Sequence, residues 1–284
     1  MSGWNAAILG MVEGLTEFLP VSSTGHLILV SSWLGLYADP ETKAGVNAFE
    51  IVIQSGALLA VMGIYFTRLR SMLRGALGQD PAGRNLLLLL LTGFLPAAVI
   101  GFLAAGWIKA HLFGIWPVII ALATGGVVMI FVERWRSRKR LRIGLGGEPE
   151  EEPEEKPLQA MTVKTALIIG FAQCLAMWPG TSRSMVTIVT ARMLGFAPKA
   201  AAEFSFLLAL PTLGGATAHD LLKEGPLLLQ ASGWQGLAIG MTVSCLVAWI
   251  AVKGFLAYLN RHGMEVFGWY RIALAGVLVI ALNI

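Results

Sequence analysis

The chain has 284 residues, of which 56% are hydrophobic and 13% charged, with a mean hydropathy of +0.71. That balance excludes an ordinary soluble domain and turns length into a count of membrane spans. The formal net charge of +4 comes from bases beside apolar segments, the pattern of topology signals in a lipid-embedded chain, so no nucleic-acid partner is expected.

The first ten residues have no basic region ahead of an apolar stretch, so no cleaved signal peptide is expected. An apolar segment at 4–33 is interrupted by EGLTEFLPVSSTGH. Glu13 and Glu17 stand four residues apart, one helical turn, and so share a face. Pro20 then breaks the helical ladder, and Ser22, Ser23, Thr24, Gly25 and His26 follow before apolar sequence resumes. Within lipid such a run is costly unless it lines a polar cavity.

Apolar segments at 49–66, 86–108 and 113–132 are each near the roughly 20 residues a spanning helix needs. Segments at 198–218, 234–259 and 266–284 match them later in the chain. A second interrupted segment, 163–194, carries PGTSRS at 179–184. The expected fold is therefore an all-α integral membrane protein of six transmembrane helices plus two re-entrant helical hairpins. Its expected division is a first repeat at 1–133, a charged cytoplasmic linker at 134–162 and a second repeat at 163–284. Of 21 basic and 17 acidic residues, seven of each lie between 133 and 156, a charged connector expected to be flexible and solvated.

The two halves repeat. LGMVEGLTEFLPVSS aligns with IGFAQCLAMWPGTS, pairing Gly10 with Gly170, Glu13 with Gln173 and, after one deleted residue, Pro20 with Pro179 and Ser23 with Ser182. Glu50 and Glu203 also correspond, at equivalent span starts, which points to a structural role. Three spans per unit is an odd number, so the second copy is expected upside down relative to the first, an inverted-topology repeat. That arrangement puts sixteen Lys and Arg inside, with Lys43, Lys109 and Lys223 outside together with both termini.

Arg183 in the second patch supplies a planar fork suited to phosphate oxygens, and Thr181, Ser182 and Ser184 add hydroxyl donors. Carboxylates, hydroxyls, a histidine and an anion clamp together form an inventory for phosphoryl transfer through a metal-bridged phosphate. Ser22 and Thr24 read equally as caps of the second half-helix and as substrate contacts. His111, His219 and His262 sit near span ends, Cys174 and Cys245 have no ligand spacing, and the nine Trp read as interfacial anchors.

EGLTEFLPVSSTGH and PGTSRS, with the repeat between them, resemble the two signature motifs of the undecaprenyl-pyrophosphate phosphatase, or bacitracin-resistance protein, family over nearly the whole chain. Met185 follows SRS where the family pattern has a glycine. The resemblance implies an enzyme of the bacterial inner membrane that hydrolyses undecaprenyl pyrophosphate and recycles the lipid carrier of cell-wall synthesis, its site open to the outer face. It implies Glu13, Glu17, Ser23, His26, Ser182 and Arg183 as functional residues, with Mg²⁺ or Ca²⁺ held by Glu13 and Glu17. Ser23 is the expected nucleophile and His26 its base or a proton donor, with direct attack by His26 left open. The expected partners are the polyprenyl pyrophosphate and membrane lipid, and a homodimer is a further candidate. The alternative is a carrier or flippase of a phosphorylated polyprenyl lipid, since inverted repeats with broken helices also build transporters.

Overall fold

The computed structural model describes residues 1–37, 40–112, 114–144, 155–259 and 261–282. Every regular element among them is helical, as expected. Helices α1 (Gly3–Thr16) and α2 (Ser23–Trp33) are followed by α3 (Pro40–Ile64), α4 (Phe66–Ala76), α5 (Pro81–Leu112) and α6 (Ile115–Gly144). After the linker come α7 (Val163–Gln173), α8 (Arg183–Met193), α9 (Pro198–Leu259) and α10 (Glu265–Ala281).

Among the described residues, five stretches are long and apolar enough to cross a membrane: Lys43–Ile64, Pro81–Ala104, Ile115–Arg136, Pro198–Ala218 and Ser232–Leu259. The last two lie in α9, which bends at Gly233, where φ is 63° and glycine meets no steric penalty. The sixth expected span is α10, whose 17 residues cover about 26 Å at 1.5 Å per residue, a little short of a bilayer core. Helices α1, α2, α7 and α8 are shorter still, 14, 11, 11 and 11 residues, so none can cross alone. They are the two interrupted segments, each broken at its polar patch.

Backbone contact holds these half-helices in place. A Cβ on Gly10 of α1 would strike the Gly240 carbonyl of α9, and one on Gly170 of α7 would strike the Gly93 carbonyl of α5. Small residues allow such approach where lipid removes the hydrophobic drive for helices to associate. The deepest side chains include Phe18, Phe49, Phe204 and Phe206, all fully buried, and Phe18 meets Phe206 edge to face at 5.2 Å.

Three boundaries differ from expectation. The basic stretch between the first two expected spans, with Arg68, Arg70 and Arg74, forms a helix of its own, α4, turned back onto α5. Asp80 accepts from the Gly83 N–H at 3.0 Å and the Ser71 hydroxyl at 2.7 Å, contacts that hold its carboxyl below the ordinary range. The charged linker is helical at its start, because α6 continues to Gly144. Its far end is tied down: Glu155 accepts from Arg192 at 2.8 Å and Arg136 at 3.4 Å, and Lys156 pairs through its backbone with Gly195 and Ala197. The acidic run 145–154 and residues 38, 39, 113, 260, 283 and 284 lie outside the described residues, as do the side chains of Lys109, His219 and Lys223.

Candidate functional site at the two broken helices

Each half-helix pair breaks at a serine with left-handed backbone. Ser22 has φ 72° and ψ 101°, Ser182 has φ 70° and ψ 113°, and among the described residues they are the only non-glycine positions with positive φ. Strain of this kind collects at functional sites, where the surrounding structure over-determines it. Both serines stand at the N-cap of an 11-residue helix that ends in a positive-φ glycine, Gly35 or Gly195. All these pairs are separated by 160 residues, the same spacing as Gly10 and Gly170. The repeat therefore needs no deletion here, and the expected pairing of Ser23 with Ser182 is corrected: Ser22 corresponds to Ser182, and Ser23 to Arg183.

Ser23 and Arg183 are thus equivalent first residues of α2 and α8, and both reach the same carboxylate. The Ser23 hydroxyl donates to Glu17 Oε2 at 2.8 Å, and Arg183 Nη2 lies 3.4 Å from Glu17 Oε1. The guanidinium also donates to the Ser205 carbonyl at 3.0 Å and lies 5.6 Å from the Phe18 ring centre. The side chains of Glu17 and Arg183 are 7% and 9% exposed, so the pair sits in low dielectric, where its attraction is strong.

Glu13 lies one turn before Glu17 on α1 and is fully buried, and neither of its oxygens receives a hydrogen bond. The Glu17 carboxylate is beside it. Two neighbouring carboxylates, one of them buried with both oxygens free, fit a divalent cation, since a buried anion without a partner is costly and oxygen donors suit a hard ion. Its counterpart in the second half, Gln173, is also buried with both amide atoms unpaired, but carries no charge.

The other expected residues divide into supports and free groups. Ser182 caps α8 by accepting from the Met185 N–H at 3.3 Å, whereas Ser22, buried at the same position on α2, makes no side-chain cap. The Ser184 hydroxyl donates to the Leu19 carbonyl at 2.9 Å, joining the second turn to the first. Thr181 is half-buried in the second turn, and Thr24 is exposed on the first turn of α2. His26 is not hydrogen-bonded to Ser23. Its Nδ1 is 2.7 Å from the Ser22 carbonyl and its Nε2 is 2.7 Å from the Tyr270 hydroxyl. Glu50 accepts from Ser31 and Tyr37, bracing the end of α2, and Glu203 pairs with Arg68 at 2.7 Å.

Arg271 is one charge within the apolar segment 266–284 and was not among the expected site residues. It is fully buried, and it donates to the Pro20 carbonyl of the first turn at 3.4 Å, the Gly180 carbonyl of the second at 3.0 Å and the Ala121 carbonyl of α6 at 3.0 Å. A lone arginine before IALAGVLV was itself the signal, because such a charge in lipid needs partners. A cavity of about 440 Å³ lies elsewhere, lined by Glu133, Glu155, Arg192 and Arg261, and includes neither turn.

The fold and site together define an all-helical protein with membrane-length helices and a buried carboxylate, hydroxyl and guanidinium cluster where two broken helices meet. The family model for bacitracin resistance protein BacA matches residues 6–277, and the chain belongs to that family. A protein of Sorangium cellulosum named undecaprenyl-diphosphatase is 50% identical over 99% of this chain and 86% of its own length. Relatives in Rhodospirillum rubrum, undecaprenyl-diphosphatase 2, and in Cereibacter sphaeroides, undecaprenyl-diphosphatase, are 47% and 44% identical over 97% and 98% of this chain, and over 93% and 96% of their own lengths.

Proposed function

We propose that this protein hydrolyses undecaprenyl pyrophosphate to undecaprenyl phosphate and inorganic phosphate, thereby recycling the lipid carrier of cell-wall synthesis and conferring bacitracin resistance. The observation that carries this reading is the convergence of Ser23 and Arg183 on Glu17 beside a buried, unpaired Glu13. Family membership and the names of the relatives support it.

In the proposed reaction Arg183 binds oxygens of the terminal phosphate, and the first N–H groups of α2 and α8 add donors. Ser23 attacks phosphorus as Glu17 Oε2 takes its proton, so that an Oγ–P bond forms and the bridging P–O bond breaks, releasing undecaprenyl phosphate. Water then cleaves the phosphoserine, and Glu17 returns the proton. The hydrogen bond that Ser23 donates to Glu17, rather than to His26, supports Glu17 as the base. His26 is left to the leaving-group side as proton donor. Glu13 and Glu17 are the residues that would hold Mg²⁺ or Ca²⁺, which when bound would neutralise diphosphate charge.

The proposed architecture is two inverted repeats, each a re-entrant pair of half-helices followed by three spans, in the bacterial inner membrane with the site open to the outer face. The polyprenyl tail leaves sideways into lipid, and a homodimer is compatible with this exit. Orthophosphate release from undecaprenyl pyrophosphate in detergent, with and without a chelator, tests the reading. Release that stops on chelation and resumes with Mg²⁺ or Ca²⁺ is expected; no release with either ion present refutes it.

A further inference from the structure

His26 has two nitrogens, and the structure treats them differently. Nδ1 faces the Ser22 carbonyl at 2.7 Å. A carbonyl only accepts, so Nδ1 carries a hydrogen whether the ring is neutral or charged. Nε2 is therefore the nitrogen that gains and loses a proton, and the Tyr270 hydroxyl stands 2.7 Å from it. The two rings are also stacked, with centroids 5.6 Å apart and planes within 7°.

We infer that Tyr270 is the positioning residue through which His26 acts, its hydroxyl holding Nε2 in both protonation states. A phenol both donates and accepts. To the neutral ring it donates toward the Nε2 lone pair. Once Nε2 is protonated, the same oxygen accepts from Nε2–H while its own hydrogen turns outward, away from the ring, on a side chain that is 47% exposed. His26 thus exchanges its proton without losing its place. The adjacent residue on α10, Arg271, fixes the backbone that carries Tyr270, because its guanidinium binds carbonyls of both broken turns. Ser22 is the hinge of the first turn, so the imidazole is held between the hinge and α10.

This inference rests on the proposed hydrolase reading, in which His26 serves the leaving group. The test is a double-mutant cycle on the full-length protein in detergent with a polyprenyl pyrophosphate as substrate. Tyr270→Phe keeps the stacked ring and removes the hydroxyl; it is expected to lower kcat about fivefold, the effect of one net hydrogen bond, with KM held within about twofold. In a His26→Gln background the same change is expected to cost nothing further, because the residue it serves is gone. In the ¹⁵N-histidine spectrum, the Nε2 signal of His26, assigned by its loss in His26→Gln, is expected to move in Tyr270→Phe while Nδ1 stays. An unmoved Nε2 signal overturns the inference, as does a Tyr270→Phe effect equally large in both backgrounds. If His26→Gln keeps wild-type turnover while the Nε2 signal still moves, the catalytic reading of His26 fails and the positioning contact stands.

Discussion

Glu17 is asked to do two things, one with each oxygen, and the two neighbouring carboxylates of α1 respond oppositely to neutralisation. Glu17→Gln removes the acceptor for the Ser23 proton and leaves Arg183 buried without its anion. Turnover is expected to fall on the order of 10²-fold or more, and thermal stability to fall with it, since breaking a buried pair costs about 3–5 kcal/mol. Glu13 has no cationic or hydrogen-bonding partner among the described residues, so Glu13→Gln is expected to raise stability in chelator while weakening the cation dependence of turnover. Melting curves in chelator and a metal titration of rate check both variants. An unchanged metal dependence in Glu13→Gln shows that Glu13 is not a ligand. Arg183→Lys keeps the charge and loses the fork, and a loss of about 10²-fold or more in rate is expected, read from the same release assay.

The two broken helices share a backbone solution but cap it differently. Ser182 pays a positive φ and recovers a hydrogen bond to Met185, while Ser22 has the same φ and no side-chain cap. Ser182→Ala is therefore expected to lose about 1 kcal/mol of stability and Ser22→Ala almost none. Ser22→Gly is expected to be neutral or stabilising, because glycine adopts positive φ freely. Thermal unfolding of the three variants checks this, and an equal loss in the two alanine variants contradicts the difference in capping. The two polar motifs were legible in the sequence because their residues cluster where lipid would forbid them. The register between them was not, since pairing like with like aligned Ser23 with Ser182. Only the backbone angles show that a serine and an arginine occupy equivalent places. The partners of His26 were also hidden, because Tyr270 is 244 residues away and looks like an interfacial aromatic.

At the scale of the molecule, the apolar runs foretold the long helices, because period and length survive any detail of packing. Helix α4 was not among the expected elements because it buries little and its arginines, Arg68, Arg70 and Arg74, dominate its composition. Arg271 was passed over for the opposite reason: one charge changes no average, yet it joins three carbonyls from three parts of the chain. The proposed inverted topology places both termini and the helical stretches that carry Lys43, Lys109 and Lys223 outside, with α4 and the linker inside. Single cysteines, introduced after removal of Cys174 and Cys245 and labelled from outside, are expected to react near Lys43 and Lys223 and not near Arg74. Reaction at Arg74 with protection near Lys223 reverses the orientation.

Ser23 is the first residue of a half-helix, and its hydroxyl shares the Glu17 carboxylate with Arg183 of the second half. The measurement that reaches this most directly is orthophosphate release from undecaprenyl pyrophosphate by Ser23→Ala beside the wild-type protein at saturating metal. With the attacking oxygen removed, the rate is expected to fall to background, well beyond the roughly fivefold cost of one lost hydrogen bond. A Ser23→Ala protein that keeps about a tenth or more of the wild-type rate, a loss of no more than ~1.4 kcal/mol, contradicts Ser23 as the nucleophile.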